Sequence, residues 1–192
     1  MANYIIDPAL LSKYIPYKTT LDYFNGNCYV SLVGFLFNDT RINGIRIPWH
    51  VNFEEVNLRF YVRTNDDAGQ RGVVFISEIV PKPAIAFVPN TVYGENYNCM
   101  KMQHNVEVGE QQINTSYRWK YKGCWNEIAA TAHNRATPMA QGSEAEFIAE
   151  HYHGYSRVSP SHTNAYEVTH PRWNNFIVTS HTINCDFENL YG

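Results

Sequence analysis

The sequence predicts a mainly β domain of the α+β class, in which many short strands and two helices form a barrel or a sandwich. Aromatic residues make up 15% of the 192 positions, and their flat rings pack well on the pleated surface of a sheet. Within the predicted strand at residues 53–63, positions 55–63 alternate between polar and apolar side chains without interruption, which is typical of a strand whose two faces lie in different environments. Short apolar runs bounded by turn residues recur along the rest of the chain.

The predicted strands are apolar runs that glycine, proline, asparagine and aspartate interrupt. Residues 72–80 are almost wholly apolar, so we expect both faces of that strand to be covered. The loop at residues 65–69 should join it to the alternating strand as a hairpin, and Asn43-Gly44 marks another turn. Residues 171–173 should connect the last two predicted strands, which we expect to pair with each other. The predicted strands are residues 28–37, 53–63, 72–80, 92–108, 113–122, 125–132, 166–170 and 175–184.

Two short helices are predicted from their first residues. Asp7 is a suitable N-cap and is followed by proline, which suits the first helical position, so a helix is expected over residues 7–15. Ser143 with Glu146 three residues later is a capping-box signature, and it predicts a helix over residues 144–152. A proline-flanked segment between the strands, residues 84–88, is either a short helix or an extended linker.

Charge and composition exclude several classes of function. The net charge is -3 and the isoelectric point is about 6.2, so no nucleic-acid interface is expected. The N-terminus lacks the basic start and apolar run of a secretory signal. No run of about 18 apolar residues exists, so no membrane span is predicted. The cysteines include no CxxC pair, which indicates a reduced, cytoplasmic protein, and we expect Cys99 and Cys124 to be buried.

The polar face of the alternating strand is the first candidate site, with Glu55, Asn57, Arg59 and Tyr61. These groups must face either bulk solvent or an internal cavity, and the pattern leaves both open. In a cavity, the arginine would grip a carboxylate through two hydrogen bonds. Glu55 and Arg59 are about 13 Å apart along an extended strand, at about 3.3 Å per residue, so Asn57 is the natural bridge between them.

Five segments spaced along nearly the whole chain carry a family resemblance. They are Asp7-Pro8 and residues 31–37, 53–62, 151–155 and 170–173. Together they resemble the YqjF-like family of uncharacterised bacterial proteins, which are relatives of acetoacetate decarboxylase. The resemblance implies a closed or nearly closed, cone-like β-barrel of antiparallel strands, with two or three short helices, around a small-molecule cavity. It also implies that Glu55 matches the first cavity glutamate of the decarboxylase.

Two departures from the decarboxylase affect the expected chemistry and assembly. The decarboxylase uses a Schiff-base lysine in a glycine-lysine-lysine motif, whereas residues 93–98 hold no lysine. Lys101 lies outside a matching motif, and we expect it to be solvated. The chain is also short at both ends relative to the family, so barrel closure is expected to be incomplete or supplied by another subunit of a homo-oligomer. Residues 1–192 are predicted to form one domain of this family.

Histidines and a tryptophan complete the candidates. No HxxxH or HExxH spacing is present, so no metal is expected. We interpret the histidines as groups that bond the backbone where the second helix ends. Trp173 is expected to plug the core or the cavity. The histidines considered are His151, His153, His162 and His170.

The sequence therefore predicts a protein that binds a small organic acid or a similar metabolite, without a cofactor and without covalent catalysis. One alternative is a decarboxylase-type enzyme that lacks the Schiff-base lysine. Another is an interaction module whose open barrel ends pair with a partner. The predicted ligand-binding residues are Glu55, Asn57, Arg59, Tyr61, Tyr97 and Trp173, and no catalytic residue is assigned.

Overall fold

β-Strands dominate the computed structural model, which describes residues 1–42, 45–46, 52–86, 96–167 and 171–192. The first strands are β1 (Ala2–Ile5), β2 (Thr19–Leu21), β3 (Tyr29–Phe37), β4 (Arg41–Ile42), β5 (Ile45–Arg46), β6 (Phe53–Thr64), β7 (Arg71–Val80) and β8 (Tyr97–Cys99). The others are β9 (Lys101–Val108), β10 (Gln112–Tyr121), β11 (Cys124–His133), β12 (Thr137–Pro138), β13 (His153–Ser159), β14 (His162–Glu167), β15 (Asn174–Asn175) and β16 (Val178–Asn184). These strands confirm the mainly β fold.

The larger sheet has eight strands and is ordered β1-β3-β6-β7-β13-β14, with β2 beside β6 and β8 beside β7. The predicted hairpin joins β6 to β7, whose register pairs Val62 with Gly72. The expectation of antiparallel strands throughout is wrong, because β7 pairs in parallel with both β8 and β13. As predicted, β7 is an interior strand with both faces covered.

The smaller sheet has four strands, ordered β16-β11-β10-β9, and it packs across the larger one. The predicted strands 113–122 and 125–132 form its central hairpin. The predicted strand 92–108 begins outside the described residues and is otherwise divided between β8 and β9. A core of buried apolar side chains fills the space between the sheets. It consists of Val30, Leu32, Val56, Leu58, Ile79, Met102, Trp119 and Ile128.

The prediction was a closed or nearly closed barrel whose closure is incomplete or supplied by another subunit. No sheet in the described part of the chain closes on itself, so a closed barrel is not formed. The larger sheet ends at β1 and the smaller one at β16. A cavity of about 390 Å³ lies between these edges, with Ala2 and Asn3 on one side and His181 and Ile183 on the other. The two sheets therefore face each other as separate layers with an open seam.

The predicted pairing of the last two strands is also wrong. The described part of β14 pairs with β13, and β16 pairs with β11 through residues such as Ile183 beside Ile128. Each strand finds its backbone hydrogen bonds in a different sheet, so the short connection through residues 171–173 is not a hairpin. Strands β1, β2 and β13 were not predicted, because they are short or lack regular alternation.

The helices are short and lie at the sheet surfaces. A 3-10 helix spans Pro8–Tyr14, where the predicted N-cap Asp7 accepts a hydrogen bond from Ala9 N. An α-helix spans Glu144–Ala149, which is shorter than predicted because Glu150 leaves the helical conformation. A further α-helix, Phe187–Tyr191, was not predicted. Residues 83–86 are helical, and the predicted turn at residues 43–44 lies outside the described residues.

None of the helices in the described ranges has the length and apolar character needed to cross a bilayer.

Candidate functional site

The polar row of β6 is buried, although the alternating sequence suggested that one face of the strand could be solvated. The exposed fraction is 1% for Glu55, 2% for Asn57 and 0% for Tyr61. Arg59 is half-buried. The solvent-facing alternative is therefore wrong: both faces of β6 are covered, and the row faces the interior of the protein.

Hydrogen bonds tie part of the row together. The Asn57 amide Nδ2 donates to Glu55 Oε1 over 2.9 Å, along the strand as its spacing predicted. Tyr97, which was predicted to line the site, lies on β8 and places its hydroxyl 3.4 Å from Glu55 Oε2. The Oδ1 atom of Asn57 is enclosed without a hydrogen-bond partner. An acceptor of this kind is costly to leave unsatisfied.

A β-bulge adds a second carboxylate that sequence reasoning missed. Asn57 pairs with Glu78 and Arg59 pairs with Phe75, so one residue of β7, Ile76, is skipped between them. Phe75 and Glu78 would lie on opposite faces of a regular strand, but the bulge brings both to the face of the polar row. Glu78 is 2% exposed. The sequence signal for this carboxylate was a single acidic residue in the otherwise apolar strand predicted at residues 72–80.

The polar face continues from β6 across β3 to β1. Ser31 is fully buried and donates to Asn3 Oδ1 over 2.7 Å. Its Oγ lies 2.6 Å from the hydroxyl of Tyr61. Since Ser31 donates to Asn3, the Tyr61 hydroxyl donates to Ser31. This chain fixes Tyr61 in place, and neither Ser31 nor Asn3 was predicted from the sequence.

Arg59 lies at the centre of the row with few partners. Its Nη2 donates to the Ile148 carbonyl over 3.3 Å and lies 3.9 Å from Met1 Sδ. Its guanidinium carbon is 5.8 Å from the centre of the Tyr61 ring. The Nε atom is enclosed without a hydrogen-bond partner. The cation is thus partly removed from water while keeping donors for another group.

An Asp–Arg–His cluster adjoins the Tyr61 end of the row. Asp22 accepts a hydrogen bond from Arg71 Nε over 2.6 Å, and its Oδ2 lies 3.7 Å from His151 Nε2. Burial lowers the pKa of His151 from 6.5 to about 4, and the neighbouring Arg71 and Arg59 lower it while Asp22 opposes the change. Burial raises the pKa of Asp22, but the hydrogen bond from Arg71 and the nearby His151 together outweigh burial and leave the pKa below its ordinary value.

Other candidates lie away from this face or in exposed positions. Trp173 precedes β15 and is 38% exposed, which does not fit a buried plug. Lys101 is exposed on β9, as predicted. Cys99 and Cys124 are exposed, so the prediction that they are buried is wrong, because both stand at ends of strands.

The histidines that were metal candidates are dispersed. His151 is buried, and its imidazole makes no hydrogen bond to the backbone. Only its backbone N–H donates, to the Ala149 carbonyl. The Nε2 atom of His153 lies 2.7 Å from Gln70 Nε2, and His162 is exposed. His170 lies outside the described residues. Within the described ranges, no group of three or more His, Cys, Asp or Glu side chains could hold a metal ion.

Comparison with known proteins places the chain in a family and a fold. The family model of DUF2071, described as an uncharacterized conserved protein, matches residues 1–192. A solved structure of acetoacetate decarboxylase from Legionella pneumophila is similar, with a TM-score of 0.50 and 13% sequence identity over 94% of this chain and 76% of that one. At this identity the likeness concerns the fold alone, and it supports the predicted decarboxylase-like architecture. Among curated proteins, none matches the chain.

Proposed function

The chain belongs to the DUF2071 family of uncharacterized conserved proteins, and we propose that it binds a small organic acid, or a similar metabolite, at the polar row of β6. The carboxylate of the ligand pairs with Arg59. Asn57, Glu55 and Tyr97 contact the rest of the molecule. Binding is noncovalent and uses no cofactor.

The observation that carries this proposal is the half-buried guanidinium of Arg59, which has no carboxylate partner among the described residues. Arg71 and Arg118 are also half-buried, and each lies beside an acid, Asp22 at 2.6 Å and Glu127 at 3.9 Å. A cation that has lost part of its hydration without gaining a counter-ion is unfavourable. A ligand carboxylate would supply the counter-ion and accept hydrogen bonds from the planar guanidinium.

The neighbouring Asn57 indicates which organic acids should bind most tightly. Its unpartnered Oδ1 atom is an acceptor and requires a donor. Asn57 and Arg59 share one face of β6, with Cα atoms about 6.6 Å apart. A short hydroxy acid could place its carboxylate at Arg59 and its hydroxyl at Asn57. We therefore expect hydroxy acids to bind more tightly than their deoxy counterparts.

The positions of the lysines support noncovalent binding over Schiff-base chemistry. A Schiff-base lysine needs an apolar pocket or a neighbouring cation that favours its neutral form. Five of the lysines are exposed and Lys82 is half-buried, so none lies in such a pocket. The structural neighbour is an acetoacetate decarboxylase by name, but similarity of fold does not transfer an activity.

Thermal unfolding against a panel of acids tests the proposal. The panel contains lactate and 3-hydroxybutyrate, their deoxy counterparts propionate and butyrate, and acetoacetate. An acid present at about 100 times its dissociation constant should stabilise the wild type by roughly 2.7 kcal/mol. Arg59→Ala should lose this response. Arg63→Ala is the matched control, since Arg63 lies on the same strand but is exposed, and it should keep the response.

Two outcomes would contradict the proposal. If no acid stabilises the wild type, the polar row is a structural network, and the interaction-module alternative gains support. If acetoacetate followed by borohydride leaves a permanent mass adduct on a lysine, binding is covalent and the decarboxylase-type alternative replaces ours. The absence of an adduct, together with an Arg59-dependent shift, would support noncovalent acid binding.

A further inference from the structure

His151 is an ionisable group enclosed in the protein beside the proposed site. It is 5% exposed, and both ring nitrogens lack a hydrogen-bond partner. Its ring packs on Tyr61 with centroids 4.8 Å apart and meets the edge of Phe147 at 5.5 Å. Tyr61 belongs to the polar row, so His151 adjoins the row through this ring.

The charged groups that face His151 come from several elements and are unbalanced. Arg59 on β6 and Arg71 on β7 are cations, whereas Asp22, which follows β2, is the facing acid. The helix Glu144–Ala149 presents the uncharged ring of Phe147. Asp22 is already hydrogen-bonded to Arg71. The charge of Arg59 is therefore left without compensation, and it opposes a proton on the imidazole.

Arg59 and His151 are linked by shared contacts. Arg59 binds the carbonyl of Ile148, three residues before His151. Both side chains also lie against the ring of Tyr61, with centroid distances of 5.8 Å to the guanidinium carbon and 4.8 Å to the imidazole. Charges that share a contact with one buried ring interact more strongly than in water, because little water intervenes. A change in the net charge at Arg59 must alter the protonation of His151.

We propose that the site takes up a proton on His151 when it binds an organic acid at Arg59. This inference rests on the proposed function. The ligand carboxylate neutralises Arg59 and thereby removes its share of the repulsion that, together with burial and Arg71, keeps the imidazole uncharged. The proton comes from solvent, and the Nε2–H then donates to Asp22 Oδ2, which now lies 3.7 Å away.

The coupling fixes the direction of the pH dependence. The free protein binds no proton at His151 near neutral pH, because burial and the adjacent arginines lower the pKa of this group to about 4. If the bound acid raises that pKa, affinity must increase as the pH falls, by up to about tenfold per pH unit between the two pKa values. Simple acids of the panel stay ionised above about pH 5.5, so they add little dependence of their own.

Isothermal titration calorimetry with 3-hydroxybutyrate and lactate, in buffers of different ionisation enthalpy, tests the coupling. At about pH 6 the wild type should take up a measurable fraction of a proton per acid bound, and the dissociation constant should fall as the pH is lowered. His151→Gln should abolish the uptake and flatten the pH dependence. His162→Gln changes an exposed histidine and should leave both unchanged.

The two proposals fail in different ways. If an acid binds in a manner that depends on Arg59 but no proton is taken up, or the uptake is equal in His151→Gln, the coupling is overturned. The proposal of acid binding then still stands. An absence of acid binding to the wild type overturns both. If His151→Gln does not fold, the imidazole resonances of the wild type decide the matter. An unchanged pKa of His151 with saturating acid contradicts the coupling, and a raised pKa supports it.

Discussion

Tyr61 is the residue that organises the candidate site. Its ring contacts Phe147 and His151, and its hydroxyl binds Ser31. Because its ring is flat and rigid, it holds both Arg59 and His151 in place through contacts with the ring. The geometry of the polar row consequently depends on one aromatic side chain. The alternating pattern assigned Tyr61 to the polar face of β6 but could not show that it is buried.

His151 should make the fold sensitive to acid. Its pKa falls from 6.5 in the unfolded chain to about 4 in the folded protein, so between these values the unfolded state binds the additional proton. The free energy of unfolding should therefore decrease as the pH falls through this window, by up to roughly 3 kcal/mol. Urea unfolding of the ligand-free protein at several pH values measures this change.

Comparison of His151→Gln with His162→Gln isolates the contribution of His151 to the pH dependence of the free energy of unfolding. The first variant should show a shallower loss of stability over the same pH window, and the second should match the wild type. The Asp22 carboxyl, whose pKa is lowered, destabilises the fold only in stronger acid, below its ordinary pKa of 3.8. An equal pH slope in wild type and His151→Gln would contradict the prediction.

At the scale of elements, the helix Glu144–Ala149 covers the end of the polar row. Its Phe147 packs against Tyr29 and Tyr61. Ser143 caps the helix by accepting from Glu146 N, and the Glu146 carboxylate accepts from Gly142 N. The serine bond of the predicted capping box is thus present, whereas the Glu146 carboxylate accepts from Gly142 N, one residue before the N-cap, and not from Ser143 N. Both bonds anchor this helix to the chain that precedes it.

Ser143→Ala should destabilise the protein by about 1 kcal/mol, because the N–H of Glu146 loses its acceptor. Ser180→Ala is the control, since Ser180 is exposed on β16, and it should change stability by less than about 0.5 kcal/mol. The midpoints of chemical unfolding for the two variants provide the comparison. Equal effects would show that the cap is not important for stability.

At the scale of the whole molecule, the close approach of the two sheets depends on a glycine. A Cβ atom at Gly34 of β3 would lie 2.7 Å from the Tyr117 ring of β10. No ordinary contact is so short, so any side chain at position 34 must displace the tyrosine or separate the layers. The packing of sheet against sheet is therefore encoded in a pair of residues far apart in sequence.

Gly34→Ala should destabilise the protein by about 1–3 kcal/mol through overpacking. In a Tyr117→Ala background the ring contact is removed and only the contact with the Cβ of residue 117, at 3.2 Å, remains. The same substitution should therefore cost less, and the double-mutant cycle should reveal the coupling. Denaturant unfolding of the four proteins measures it. Additive effects of the two substitutions would contradict the close contact.

The sequence by itself determined the strands and helices whose signals are local. The alternation within residues 53–63, the apolar run of β7 and the caps at Asp7 and Ser143 all depend on neighbours in the chain, and all correspond to elements of the structure. The family also followed from the sequence, since its motifs are spaced along the chain.

Only the tertiary structure decided what covers each face and which strands pair. Alternation distinguishes two faces but cannot show that Phe147 and His151 cover the Tyr61 end of the polar one. The bulge at Ile76 brings Glu78 to that face, and bulges depend on pairing with another strand. The edges β1 and β16 lie on either side of the seam and are distant in sequence. No local pattern connects their residues, so the sequence left both a closed and an incomplete barrel open, and the structure decided between them.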